Sequence, residues 1–273
     1  MRIVIPMAGY GNRFKNAGYK DPKPLINVCG KRIIEYVLDS FNKDLDDFIF
    51  ICNTLHTEET RILETLKSLV NNCSICIIDN HKKGPVWTVS QCHSVLDTND
   101  PIIFSYCDSP FIWNYDSFKN YAIESNIDGC LVTHSGFHPH NLCKGIMAHC
   151  KLNGNRVVEV KEKGCFTDDP MNEHASSGAY YFKSGRLAKE YFKKTIEENV
   201  SFNNEYYITL VYNLMIKDGL NITSYLCDSM VSFGTPTEIE NYVAWKTIID
   251  SQQCSNETDI LNCYKFWKKI QMK

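Results

Sequence analysis

The chain has 273 residues, 44% of them hydrophobic and 22% charged, enough to bury one sizeable core and too apolar for an intrinsically disordered segment. Its net charge of −3 gives no general affinity for nucleic acid or for an anionic membrane surface, so any basic site has to be local. The chain starts directly in a strand, shows no signal peptide and holds no apolar run long enough to span a bilayer, so the expected location is the cytoplasm.

Strands are expected at 2–6, 48–52, 74–78 and 102–106. Helices with an apolar stripe at helical spacing are expected at 32–41, 58–70, 86–96 and 115–124. Repeated strand–helix units imply a mostly parallel sheet with helices on both faces. From about Gly129 the pattern changes to shorter strands at 129–133, 145–149, 156–161 and 176–182, read as a smaller, partly antiparallel layer on the acceptor side. A helix at 185–199, another after Glu205 and a strand near 230–233 complete a domain over residues 1–245. The segment from Glu238 reads as helical and amphipathic. Residues 246–273 form a C-terminal extension that caps the domain or joins protomers.

Thirteen cysteines, an odd number scattered through apparent core segments, read as reduced thiols packed as small hydrophobes. Cys73 and Cys76 have CxxC spacing, but they sit in an apolar run where strand packing is the reading. His134, His138, His140, Cys143, His149 and Cys150 match no standard zinc spacing and read as a polar loop near the active site.

The most specific signal lies in the first twenty-five residues. Ile3-Val4-Ile5-Pro6-Met7-Ala8-Gly9-Tyr10-Gly11-Asn12-Arg13-Phe14 runs a strand into a glycine turn, and Asp21-Pro22-Lys23-Pro24 follows. Two glycines let the backbone approach a ligand and point N–H groups at an anion, and Arg13 and Lys23 add two positive charges. That combination is suited to a triphosphate. A dinucleotide fingerprint needs a third glycine where Phe14 stands, and a P-loop needs Gly-Lys-Ser/Thr where the chain has Asn12-Arg13-Phe14.

Further motifs follow in order: Gly84-Pro85-Val86-Trp87-Thr88-Val89, Tyr106-Cys107-Asp108, Glu162-Lys163, Ser177-Gly178-Ala179, Glu205-Tyr206-Tyr207-Ile208 and Phe233-Gly234-Thr235-Pro236. With the glycine turn and Pro22-Lys23-Pro24, this series over residues 1–242 resembles the nucleotidyltransferase family that makes nucleotide-activated sugars and headgroups. The Met-Ala-Gly opening and Asn204-Glu205-Tyr206-Tyr207-Ile208 are most similar to its capsule-type cytidylyltransferase branch. The resemblance implies a Rossmann-like α/β fold of the GT-A type. It implies a reaction in which an acceptor phosphate attacks the α-phosphorus of a nucleoside triphosphate and pyrophosphate leaves, with CTP first and UTP or dTTP next.

On that resemblance Arg13 and Lys23 are the catalytic residues, one gripping the departing pyrophosphate, the other bridging the α-phosphate and the incoming phosphate. Met7, Ala8, Gly9, Gly11, Gly84 and Thr88 hold the nucleotide. Glu162, Lys163, Gly178 and Glu205 hold the phosphorylated acceptor, and Asp108 binds Mg2+, or Mn2+ in its place. In many relatives a second metal-binding aspartate precedes the late Gly-Thr, but here Ser232 stands there. Either one metal suffices or another carboxylate, such as Glu205 or Asp228, contributes. The competing readings are a GT-A glycosyltransferase, which calls for an Asp-x-Asp pair that Cys107-Asp108-Ser109 does not supply, and a non-catalytic nucleotide-sensing module. The expected partners are therefore a nucleoside triphosphate and a small acceptor, with homo-oligomerisation through the C-terminal helices and with neither nucleic acid nor membrane.

Overall fold

The computed structural model describes residues 1–136, 138 and 146–250. One nine-stranded sheet carries the fold. Its spatial order is Cys73–Ile78, Asp47–Asn53, Arg2–Pro6, Ile102–Ser105, His174–Phe182, Gly129–His134, Ile222–Leu226, Arg156–Lys161 and His149–Asn153. The first four are mutually parallel. His174–Phe182 runs antiparallel to both of its neighbours, Ile102–Ser105 and Gly129–His134. The antiparallel strands therefore extend the same sheet instead of forming a layer apart, because His174–Phe182 hydrogen-bonds both halves into one ladder.

Ile3, Val4 and Ile5 have no exposed surface, as a strand covered on both faces requires. Successive side chains alternate between two cores. Val4, Ile49, Ile51, Phe104 and Phe182 pack on one face beneath helices Pro85–Ser90, Gly185–Glu197 and Ile208–Lys217. Ile3, Ile5, Phe48, Phe50, Ile103 and Tyr181 pack on the other against Ile33–Leu38, Ile62–Leu69 and Tyr115–Glu124. A third cluster joins Phe14, Ile26, Val28 and Ile33 to Phe233 and Ile239, fixing the N-terminal loop against the last helix, Pro236–Asp250.

Several expected elements shift. The helix expected over 58–70 is broken into Thr54–Glu59 and Ile62–Leu69 by the extended backbone at Thr60, whose hydroxyl donates to His56 O at 2.6 Å. The one expected over 86–96 is broken into Pro85–Ser90 and His93–Leu96. The strand expected over 145–149 falls at His149–Asn153 and pairs antiparallel with Arg156–Lys161, while residue 145 lies outside the described residues. Ile222–Leu226, not expected as a strand, pairs parallel to Gly129–His134 inside the sheet. The last helix crosses residue 245 without a break, and residues 251–273 lie outside the described ones.

The thiol reading needs one correction, because Cys76 and Cys92 form a disulfide. Cys76 on the edge strand and Cys92 just beyond helix Pro85–Ser90 belong to the same core, and packing that helix over the strand brings their Cα atoms to 6.6 Å. Cys143 and His140 lie outside the described residues. Among the described residues no three His, Cys, Asp or Glu gather as a metal-holding group, and no helix is long and apolar enough to cross a membrane.

Candidate active site

The chain runs from Arg2–Pro6 outward to Asp47–Asn53 and Cys73–Ile78, then returns to the other side of the first strand with Ile102–Ser105. That reversal opens a crevice beyond the carboxyl ends of the two central strands, the place where open α/β sheets hold ligands. A cavity of about 1350 Å3 occupies it. Met7, Ala8, Gly9, Gly11, Arg13, Lys23, Gly84, Thr88, Asp108, Lys163 and Glu205 all line this one space. Glu162 and Gly178 stand outside that lining.

The glycine turn is held from below. Met7 N donates to Ile51 O at 2.8 Å, and Asn53 Nδ2 donates to Ala8 O at 3.0 Å. Asn53 Oδ1 also caps helix Thr54–Glu59 by accepting from His56 N at 2.8 Å. An asparagine ending an apolar strand before a helix carries the cap signature, but its grip on the turn is a long-range contact that the sequence does not announce. Phe14 is buried, so Arg13 beside it is left exposed to the cavity.

Lys23 lies in a short helical turn braced by Pro22 and Pro24, and its ammonium pairs with Asp108 Oδ2. Burial works to lower the Lys23 pKa, but Asp108, with smaller help from Cys107 and Glu238, holds it above the usual lysine range. Lys23 is therefore charged at any physiological pH. Cys107 is pushed up to about 12 by burial and by Asp108, so its thiol stays protonated in the cavity wall. Phe233 N donates to Asp108 O at 2.8 Å, which docks Gly234 against that carboxylate.

Gly84 and Thr88, expected on the nucleotide side, are held by their own neighbours in the fold. Gly84 has φ +84° and ψ 175°, and a Cβ there would lie 2.8 Å from both Tyr206 N and Tyr206 O. Those two atoms bond to Lys83 O and Val86 N at 2.9 and 3.1 Å, so the glycine admits the neighbouring backbone. Thr88 Oγ1 is 3.1 Å from both His81 Nε2 and Gly84 O, while Lys83 N donates to His81 Nδ1 at 3.1 Å. With Nδ1 accepting, neutral His81 donates from Nε2 to Thr88, whose hydroxyl proton goes to Gly84 O. Burial, helped by Lys83, lowers the His81 pKa and favours that neutral form.

Lys163, Glu205 and Tyr207 also line the cavity, with Glu205 packed next to Gly84 and Tyr207 not anticipated from the sequence. Lys163 has φ +48°, a conformation that costs a non-glycine residue about 1–3 kcal/mol and that clusters at functional sites. Its Nζ donates to Tyr207 Oη at 2.7 Å, and that hydroxyl donates to Glu205 Oε2 at 3.0 Å. Asn203 and Asn204, both at positive φ, make the two-residue turn that presents Glu205, closed by two backbone bonds of 3.0 Å between Phe202 and Glu205. Burial raises the Glu162 pKa, against the pull of Thr209, which donates to it, and of Lys163. A Cβ on Gly178 would come within 2.9 Å of Ser109 Cβ, so the glycine admits that close neighbour. Asp228 sits outside the cavity, its backbone N bonded to Ile112 O at 2.8 Å. Glu238, also missed, faces the cavity from the start of the last helix.

The profile of the MobA-like NTP transferase domain matches residues 3–152. The bifunctional protein GlmU of Thermodesulfovibrio yellowstonii is 26% identical over 254 residues, 92% of this chain and 52% of that relative. A putative mannose-1-phosphate guanyltransferase of Sulfolobus acidocaldarius is 21% identical over 187 residues, 68% of this chain and 49% of that protein. The chain thus spans about half the length of these curated relatives. A nucleoside-diphosphate-sugar pyrophosphorylase from Vibrio cholerae RC9 shares its fold with a TM-score of 0.69 and 24% identity, covering 89% of this chain and 99% of that one. An inositol-1-phosphate CTP transferase from T. maritima does so with a TM-score of 0.63 and 13% identity, over 87% and 90% of the two chains. With the profile spanning more than half of its length, the chain belongs to the MobA-like NTP transferase family.

Proposed function

We propose that the protein is a nucleotidyltransferase that joins a nucleoside triphosphate to a phosphorylated sugar or related small headgroup and releases pyrophosphate. One observation carries the reading: the glycine turn, Arg13, Lys23 and Lys163 all line a single cavity. Two polyanions meeting at a switch-point crevice need positive charge gathered there, since phosphoryl-group chemistry is governed by positioning and charge neutralisation.

An oxygen of the acceptor phosphate forms a bond to the α-phosphorus while the bond from that phosphorus to the bridging oxygen of the β-phosphate breaks. Backbone N–H groups of Ala8, Gly9 and Gly11 hold the triphosphate, and Arg13 takes the charge that leaves as pyrophosphate. Lys23 stays protonated and bridges the α-phosphate and the incoming phosphate. Lys163 takes the acceptor phosphate, and Glu205 accepts from the acceptor's hydroxyls or amine. Glu162, next to Lys163 in the chain, belongs to the same acceptor side.

The donor set fits a hard divalent cation, Mg2+ or Mn2+, because Asp108 sits in the turn just beyond the central strand Ile102–Ser105 and already turns a carboxylate oxygen to the Lys23 ammonium. Asp108 would hold the ion, which supplies charge neutralisation on the triphosphate when bound. CTP is the nucleotide we favour, followed by UTP and dTTP, supported by the likeness of Asn204-Glu205-Tyr206-Tyr207-Ile208 to capsule-type cytidylyltransferases.

The test is pyrophosphate release. Each of the common triphosphates is combined with Mg2+ and a panel of sugar 1-phosphates and other phosphorylated small molecules. One pairing is expected to stand far above the rest. Binding of nucleotide without release from any pairing refutes the transferase reading and leaves a sensing module.

A further inference from the structure

The loop Val231–Thr235 lacks the aspartate that many nucleotide-sugar transferases place before the late Gly-Thr, and Ser232 occupies that position. We propose that Glu238, from the first turn of the last helix, supplies the second carboxylate of the divalent-cation site beside Asp108. The inference rests on the nucleotidyltransferase reading and adds a ligand that neither the motif series nor the family position provides.

Three features of the fold converge on it. A Cβ built on Gly234 would lie 3.0 Å from Glu238 Oε2 and 3.6 Å from Asp108 Oδ2, so both carboxylates open onto the same small space above that glycine. The cation-accepting character of the space is visible in Lys23, whose ammonium rests on Asp108 Oδ2. Ser232 Oγ donates to Glu238 Oε2 at 2.9 Å, which ties the substituted side chain to the carboxylate standing in for it. An aspartate at 232 would have set two like charges in contact with each other. The loop and the helix have in effect exchanged the acidic residue.

Glu238 also has a plain structural task. Its Oε2 accepts from Thr235 N at 3.0 Å, and Glu238 N donates to Thr235 Oγ1 at 3.3 Å, a reciprocal capping box at the head of helix Pro236–Asp250. Both this cap and the bond from Ser232 use the side chain as an acceptor, so glutamine preserves them while removing the charge. Magnesium-type ions take one or two carboxylates and keep several waters, so the charge is what a cation would miss.

The experiment titrates the full chain with Mn2+ alone, reading free ion by electron paramagnetic resonance, with thermal unfolding as the fold control. Glu238→Gln and Asp108→Asn should each weaken Mn2+ binding by at least roughly tenfold, the size typical of a disturbed ligand shell. Glu238→Gln should keep the wild-type melting temperature. The double variant Ser232→Asp/Glu238→Gln, which returns the carboxylate to the loop, should recover most of the lost affinity. Wild-type Mn2+ binding in Glu238→Gln alongside weakened binding in Asp108→Asn overturns the proposal and leaves Glu238 as a helix cap. Absence of Mn2+ binding by the wild type overturns it as well. Neither result touches pyrophosphate release, which tests the transferase reading separately.

Discussion

Replacing Gly84 by alanine separates two reasons for a glycine at the nucleotide side of the cavity. The position has φ +84° and ψ 175°, a region almost reserved for glycine, so alanine pays about 1–3 kcal/mol in backbone strain. The added methyl would stand 2.8 Å from Tyr206 N and O, backbone atoms that cannot swing aside as a side chain can. Overpacking of that kind costs about another 1–3 kcal/mol. The sum, about 2–6 kcal/mol, is a large part of the roughly 5–15 kcal/mol that holds a domain folded, and it corresponds to a melting-temperature fall of the order of 10 °C. The two bonds between Tyr206 and residues Lys83 and Val86 are the ones that give way, and with them the splice between the nucleotide wall and the Glu205 turn. Thermal unfolding in the absence of ligand reads the effect directly. Gly84→Ala melting with the wild type while losing nucleotide affinity refutes the packing argument and leaves ligand approach as the reason for the glycine.

Lys23→Ala removes the cation from the centre of the site and should lower turnover about a thousandfold with the fold intact, a typical size for a lost charge-stabilising donor. Near-wild-type turnover removes Lys23 from the chemistry. Tyr207→Phe keeps the ring beside Lys163 but deletes the hydroxyl that holds its ammonium. The acceptor KM should rise about fivefold, the worth of one hydrogen bond, with the nucleotide KM unchanged. Equal effects on both substrates contradict the positioning role. Burial lowers the pKa values of His56, His81 and His174. The unfolded chain therefore binds more protons than the folded one below about pH 6.5, and stability, which rises with pH in that range, is lost as pH falls through it. Melting temperatures measured across that range should drop on the acid side, and an unchanged melting temperature opposes the assignment of neutral buried histidines.

What the sequence made legible is what depends on local pattern. The run Ile3-Val4-Ile5 announces a strand buried on both faces, and the glycine turn behind it falls at the switch point because chain order fixes where the sheet reverses. The return of Glu238 to Asp108 is a tertiary event. Its visible signal, Thr235-x-x-Glu238, spells only a helix cap. The glycines at 84 and 178 are visible in the sequence, but their close neighbours Tyr206 and Ser109 are tertiary contacts that it does not encode. Ile222–Leu226 escaped notice because Thr223 and Ser224 interrupt its apolar run, although both are buried within the sheet. The Cys76–Cys92 bond depends on how a helix docks over an edge strand, which cysteine spacing does not encode.

The central claim is that a cationic cradle at the head of the first strand forces two anionic reactants together. A crystal structure of the protein with Mg2+ and a non-hydrolysable nucleoside triphosphate examines it most directly. The triphosphate should lie along Ala8–Gly11 with Arg13 on its terminal phosphates, and Lys23 should have turned from Asp108 toward the α-phosphate. A triphosphate bound elsewhere, with the Lys23–Asp108 pair undisturbed and Arg13 facing solvent, would contradict the account.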